Sequence, residues 1–220
     1  MNLPRFFLLL LFGVSGLQAC KKEGDYPASI RPSDFFVRCT LVDDQGRERP
    51  YEYRGEDTIT LFPGAVFELG YRGDAFIQDS IRHIWGGLGD WLLPMPFFLQ
   101  MSHPDRVTDP FQSPEWRPED FDKVLYPGKE FRYGPAPGEA VIGIADYPNG
   151  AWSLNTLSHD NAGSYLRVEE VSDYGIPELG TPYFGKKVRF RFECLLSNGD
   201  SGDWLLRDGE AVLFFRYYKY

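Results

Sequence analysis

Alternation of apolar and polar side chains runs through most of this chain and is clearest near its C-terminal end. Val188, Phe190, Phe192, Cys194 and Leu196 share one phase of a period-two pattern over 187–196, with Arg189, Arg191 and Glu193 in the other phase. That alternation predicts a strand with one face in a core and the other in water. Ser197-Asn198-Gly199-Asp200 then reads as a turn, 204–206 as extended chain, Asp208-Gly209 as a second turn and 210–218 as a closing strand. The expectation is a terminal meander. At the other end Phe35, Val37, Cys39 and Leu41 alternate in the same way, so 34–42 reads as a first strand, ended by the turn signal Asp43-Asp44-Gln45-Gly46.

Short strands are predicted at 48–53, 58–62 and 65–71. The period then changes. Ile77, Ile81, Ile84, Trp85 and Leu88 fall at helical spacing, which predicts one short helix over 75–88 stopped by Gly86-Gly87. Between Pro94 and Pro137 the chain holds nine of its 17 prolines, including Pro104, Pro110, Pro114 and Pro118. Proline removes a ladder donor and breaks helix interiors, so 94–137 reads as a long irregular insertion. Strand patterns resume at 140–144, at Trp152 and Leu154 after the hairpin signal Asn149-Gly150, and at 165–171. The fold class expected is mainly β: an antiparallel β-sandwich or open barrel with one short helix and a long proline-rich excursion. An aromatic share of 16%, with 18 Phe and 13 Tyr, agrees, because aromatic side chains favour strands.

The first twenty residues follow a different rule. Arg5 precedes seven unbroken apolar residues, Phe6 to Phe12, and then the small residues Gly13-Val14-Ser15-Gly16. The run is far short of the ~20 residues that span a bilayer and has the layout of a removable export signal. Leu17-Gln18-Ala19-Cys20 resembles the lipobox of bacterial lipoproteins, with an aliphatic residue three positions before the cysteine and a small one directly before it. The resemblance implies cleavage ahead of Cys20, a diacylglycerol on its sulfur and usually a further acyl chain on the new amino group. Two or three chains hold a protein stably where one holds it marginally. Lys21-Lys22-Glu23-Gly24-Asp25 is similar to the charged tethers of surface lipoproteins in the Bacteroidetes group, and no aspartate follows the cysteine. These features lean towards the outer membrane, on its periplasmic or cell-surface face. The expected organisation is a signal peptide over 1–19, a lipidated tether over 20–33, and one β-rich domain over 34–220 with the insertion at about 94–137.

The segment 164–220 also resembles the end of small β-rich Bacteroidetes lipoproteins of unknown function. The likeness rests on Tyr165-Leu166-Arg167-Val168-Glu169-Glu170, on Phe184-Gly185 leading into Val188 to Cys194, and on Asp208-Gly209-Glu210-Ala211. It implies a sandwich-like domain and transfers no catalytic residue.

Charge narrows the partners. The whole chain has a formal net charge of −9, and without residues 1–19, which hold Arg5 and no acid, it is −10. Such a chain is not built to bind nucleic acid or an anionic bilayer by electrostatics. The expected membrane contact is through lipid on Cys20. Cys39 and Cys194 lie in the inward phase of their strands, so they are either a possible disulfide closing a loop of about 150 residues or two free core thiols.

Candidate chemistry is sparse. His83, His103 and His159 are not at metal-ligand spacing from one another or from a cysteine, so no metal and no cofactor is expected. Ser158-His159-Asp160 has the residue types of a triad, but sequence neighbours cannot face one another as that mechanism needs. Carboxylate pairs for glycoside hydrolysis could come from Glu119, Asp120 and Asp122 or from Glu169 and Glu170, although adjacent residues of a regular strand point to opposite faces. Asn198, Asp200 and Asp203 follow only part of a calcium-loop pattern. Tryptophans can stack on sugar rings when exposed and pack in cores when not. Trp91, Trp116 and Phe111, in or beside the proline-rich excursion, are the candidate ligand-binding residues. No convergent catalytic set is visible. The reading is therefore a lipid-anchored binding or structural module of the cell envelope, with a glycan or an envelope protein as partner; a glycan-directed hydrolase and an accessory subunit of an outer-membrane complex are the alternatives.

Overall fold

The computed structural model describes residues 34–55, 58–62, 65–68, 70–89, 96–109, 113–146, 152–156, 161, 163–176, 183–197 and 203–217. The strands are β1 (Phe36–Val42), β2 (Glu48–Arg54), β3 (Thr58–Phe62), β4 (Ala65–Glu68), β5 (Gly70–Gln78), β6 (Ile81–Gly89), β7 (Phe97–Arg106), β8 (Glu130–Phe131), β9 (Ala140–Asp146), β10 (Trp152–Asn155), β11 (Tyr165–Ile176), β12 (Tyr183–Leu196) and β13 (Trp204–Tyr217), with one helix, α1 (Pro118–Val124). They form a six-stranded sheet in the order β2-β1-β13-β12-β11-β8, a five-stranded sheet in the order β10-β9-β7-β6-β5, and the hairpin β3-β4. All strand pairs are antiparallel, and the two large sheets make a sandwich that does not close into a barrel. Among the described residues no helix is long and apolar enough to cross a membrane.

The alternation read from the sequence is the core. Phe190, Phe192, Cys194 and Leu196 are fully buried on the inner face of the larger sheet, and Leu99, Met101, Ile142 and Ile144 face them from the smaller one. The rings of Phe97 and Phe192 stack across the gap with centroids 5.7 Å apart. The sheets approach closely where Gly86 of β6 meets β13: a Cβ there would stand 2.8 Å from the Phe214 carbonyl oxygen, so only glycine permits the approach. At another corner Asn155 and Ser197 join β10 to the end of β12 by a backbone bridge.

Several expectations change. Residues 75–88 are not a helix; they belong to the hairpin β5-β6, with Gln78 paired to Ile81. The two loop residues, Asp79 (φ 51°) and Ser80 (φ 61°), take the left-handed backbone that tight hairpins use. Ile77 is 36% exposed, so the apparent helical stripe does not face one core. Asp208-Gly209 does not end a strand either. β13 runs through it, with Phe192 paired to Gly209 and Cys194 to Leu206, so Arg207 and Asp208 oppose the single residue Glu193 in a bulge. The proline-rich excursion contains β7, which pairs with both β6 and β9, together with α1 and β8. Pro104 falls in the irregular stretch where Ile81 pairs with Arg106 but His83 with Ser102, which spares the ladder a missing donor.

Candidate functional site

Of the residues expected to bind a ligand, Trp91 and Phe111 lie outside the described residues, as do Cys20, Ser158-His159-Asp160, Asn198 and Asp200. Trp116 is described, and it corrects the stacking expectation. It is 1% exposed, edge-on to His103 at 5.3 Å and tilted against Phe121 at 5.5 Å. Neither face of its indole is open to a sugar. Its Nε1 is buried without a hydrogen-bond partner among the described residues, so ring packing holds the indole in place. The cause is α1, whose Pro118 at the first turn and first-turn acids Glu119 and Asp120 start a helix that buries Phe121 and Val124 and sets Phe121 against the indole.

Cys39 and Cys194 are both buried and both free, so the disulfide is corrected to two core thiols. β13 lies between their strands. Two strand spacings amount to roughly 9.5 Å, beyond the ~7 Å between Cα atoms that a disulfide tolerates. Burial pushes the Cys39 thiol up to about 12, opposed by the charge of Arg49, which leaves it protonated and unreactive.

The candidate carboxylates do not converge. Asp120 is 8% exposed and holds Arg82 through both oxygens, Nη1 at 2.9 Å and Nη2 at 3.3 Å, with His103 Nε2 3.3 Å from Oδ1. Burial works to raise its pKa, but the hydrogen bonds from Arg82 and the Arg117 amide and the charges of Arg82 and His103 outweigh it, so the carboxyl sits below its ordinary value. Asp122 pairs with Lys186 at 2.9 Å, and Glu119 is exposed. Glu169 and Glu170 were expected on opposite faces; a bulge between Val168 and Glu170 leaves both exposed instead. Among the described residues no three His, Cys, Asp or Glu side chains come together as a metal site.

A serine and a histidine do meet. Ser102 Oγ is 3.0 Å from His83 Nδ1, and Gln100 Nε2 is 3.2 Å from the same nitrogen. Burial lowers the His83 pKa, against the hydrogen bond to the Gln78 main chain and the charge of Asp79. Ser102 is 1% exposed and His83 3%, so the hydroxyl cannot reach a substrate. The pair serves to satisfy buried polar atoms between β6 and β7.

An open concavity among the described residues lies at the β8 edge of the six-stranded sheet. It has a volume of about 460 Å³ and is lined by residues that include Glu130, Arg132, Tyr133, Glu139, Ser164 and Tyr165. That volume lies within the range of about 300–1,000 Å³ typical of small-molecule sites. The proline-rich segment supplies one wall. Glu139 folds back over the turn 134–138, where its Oε2 accepts the Ala136 amide at 3.0 Å. Glu130 binds Arg167 with Nη2 at 2.6 Å. Tyr133 donates its hydroxyl to the Tyr165 carbonyl at 2.9 Å, and burial, with the Cys194 thiol behind it, holds that phenol well above its ordinary range and so neutral. Arg132 and the Ser164 hydroxyl have no partner among the described residues, and Tyr165 is 38% exposed. The hollow thus offers a part-exposed aromatic side chain, with a guanidinium and a hydroxyl that have no partner among the described residues. Sequence reading missed it because its walls, 130–139 and 161–165, lie far apart in sequence and are brought together by the pairing of β8 with β11 and the Tyr133–Tyr165 hydrogen bond.

Compared with known protein families, with curated proteins and with solved structures, the chain matches none.

Proposed function

We propose that this chain is a lipid-anchored binding module of the bacterial cell envelope, held through acyl chains on Cys20 at the outer membrane, whose ligand is a glycan seated in the hollow between β8 and β11. The observation that carries the binding reading is the exposed Tyr165 beside the Arg132 and Ser164 side chains, which have no partner among the described residues. An aromatic face stacks on the apolar side of a sugar ring, and planar or hydroxyl donors beside it take up the ring hydroxyls. The sequence Leu17-Gln18-Ala19-Cys20 supports the anchor. A hydrolase in the same hollow would have to use Glu130 and Glu139, and each is already engaged by a local partner, which favours binding over catalysis.

Two measurements test the reading. Mass spectrometry of the mature protein should find Cys20 as the N-terminal residue carrying lipid; an unmodified thiol there removes the anchor. On a glycan array the full chain in detergent should bind a defined set of saccharides, and Tyr165→Ala should weaken that binding roughly three- to tenfold, the equivalent of about 0.5–1.5 kcal/mol for an aromatic contact. No bound saccharide, or binding that ignores Tyr165, overturns the assignment of the hollow.

A further inference from the structure

A second, smaller pocket lies on the outer face of the six-stranded sheet, towards the other end of β11. It has a volume of about 170 Å³ and is lined by Glu170, Ser172, Tyr174, Lys187, Arg189 and Val212. The strand register builds it. Ser172 stands opposite Lys187, and Glu170, Arg189 and Val212 make the adjoining row across β11, β12 and β13. Cross-strand neighbours of this kind have Cβ atoms about 4.5–5.5 Å apart. The row is fixed in place by the fully buried Val188 and Phe190, which point to the opposite face and lock the phase of β12.

The two cations of the pocket differ in how they are satisfied. Arg189 is committed: Nη1 donates to Glu210 Oε1 at 2.8 Å and Nε lies 3.5 Å from Glu170 Oε2. Glu210 is itself only 2% exposed and its other oxygen is taken by Arg38. Lys187 is not committed. Its Nζ is 5.2 Å from the Tyr174 ring centre and 5.9 Å from that of Phe35, and its side chain is 29% exposed. The nearest carboxylate oxygen, Oδ2 of Asp34, is 4.0 Å away and already accepts the Tyr174 hydroxyl at 2.9 Å. An ammonium at that distance has a Coulomb partner but no hydrogen-bond acceptor, although it carries three donors. The Ser172 hydroxyl across from it has no partner among the described residues.

We propose that this pocket binds a compact oxyanion, a carboxylate, phosphate or sulfate group, with Lys187 and Ser172 donating to it and Val212 as its apolar floor. At 170 Å³ the space is below the size of a whole drug-like ligand and suits one charged group of a larger molecule. The surrounding charges are near balance: Asp34, Glu170 and Glu210 against Arg38, Lys187 and Arg189. Recognition therefore rests on the unspent donors rather than on net charge, and it is independent of the hollow at β8.

The test uses calorimetric titration of the full chain in non-ionic detergent with inorganic phosphate, sulfate and glucuronate, at constant ionic strength maintained with chloride. Saturable binding of at least one of the three is expected, and the one bound identifies the group. Lys187→Met, which keeps the aliphatic stem over the rings, should weaken it tenfold or more; Ser172→Ala should weaken it severalfold; Lys123→Met on α1 should leave it unchanged. No saturable binding of any of the three, or equal affinity in Lys187→Met, overturns the proposal. If Lys187→Met does not fold, an unaltered affinity in Ser172→Ala overturns it instead.

Discussion

Asp120→Ala lowers the unfolding free energy by about 3–5 kcal/mol, the usual cost of leaving one member of a buried ion pair without its partner. Arg82 is 7% exposed and its guanidinium is held by both oxygens of Asp120, with His103 Nε2 3.1 Å from Nη2. Removing the carboxylate strands that charge between β6, β7 and α1. Against a typical domain stability of 5–15 kcal/mol this is a large share, visible as a shift of the urea midpoint. The double variant Arg82→Met with Asp120→Leu should recover most of the loss, because replacing both charges by apolar groups of similar size is often neutral or better. A double variant no more stable than Asp120→Ala would show that the cost is lost helix packing and not an unpaired charge.

The same carboxylate sets a direction with pH. Its folded pKa lies below its unfolded value, so its contribution is present above the ordinary carboxylate range, near pH 4, and is lost as pH falls through the folded value. Glu210 shifts the same way: burial opposes its ionisation, and the hydrogen bond from Arg38 with the charges of Arg38, Arg189 and Arg191 overcomes that. Wild-type stability should therefore fall as pH drops below the ordinary carboxylate range of about 4, with a shallower fall in Asp120→Ala.

The strands that were legible in the sequence are those with one face in the core and one in water. β1, β2 and β12 alternate because water lies on one side of each, and the period-two signal follows directly from that. β6 was misread because Ile77, Ile81, Ile84 and Leu88 meet helical spacing by coincidence; only Ile84 and Leu88 share the inner face, and the Asp79-Ser80 loop carries no glycine to announce a hairpin. β7 was hidden by Pro96 and Pro104, one just before the strand and the other within its irregular stretch, positions where a missing donor matters little. Trp116 stood as a stacking candidate because its neighbours are prolines, with core packing left open; the signal for its burial lies beside it, where Pro118, Glu119 and Asp120 start a helix. The hollow and the oxyanion pocket could not be read at all. Each depends on register between strands far apart in sequence, which no local period encodes.

Register also controls the heart of the core, and a pair of substitutions can measure it. Phe192 stacks on Phe97 from the other sheet and lies over Gly209 of the neighbouring strand, where an added Cβ would come within 2.3 Å of the Phe192 ring. Phe192→Ala should cost about 3–5 kcal/mol, the range for a buried aromatic truncated to a cavity. Gly209→Ala alone should cost about 1–3 kcal/mol, since the ring is fixed between two layers and cannot move aside without strain. Made together, the two changes should cost less than their sum by about 1–3 kcal/mol, because the alanine methyl at 209 occupies space that the missing ring has vacated. Additive costs in urea unfolding would mean that Phe192 does not lie over Gly209, and with that the pairing of β12 with β13 through the Asp208 bulge would be wrong. The same pairing aligns Arg189 with Val212 and so places the floor of the oxyanion pocket, which makes the cycle a check on the surface site from inside the core.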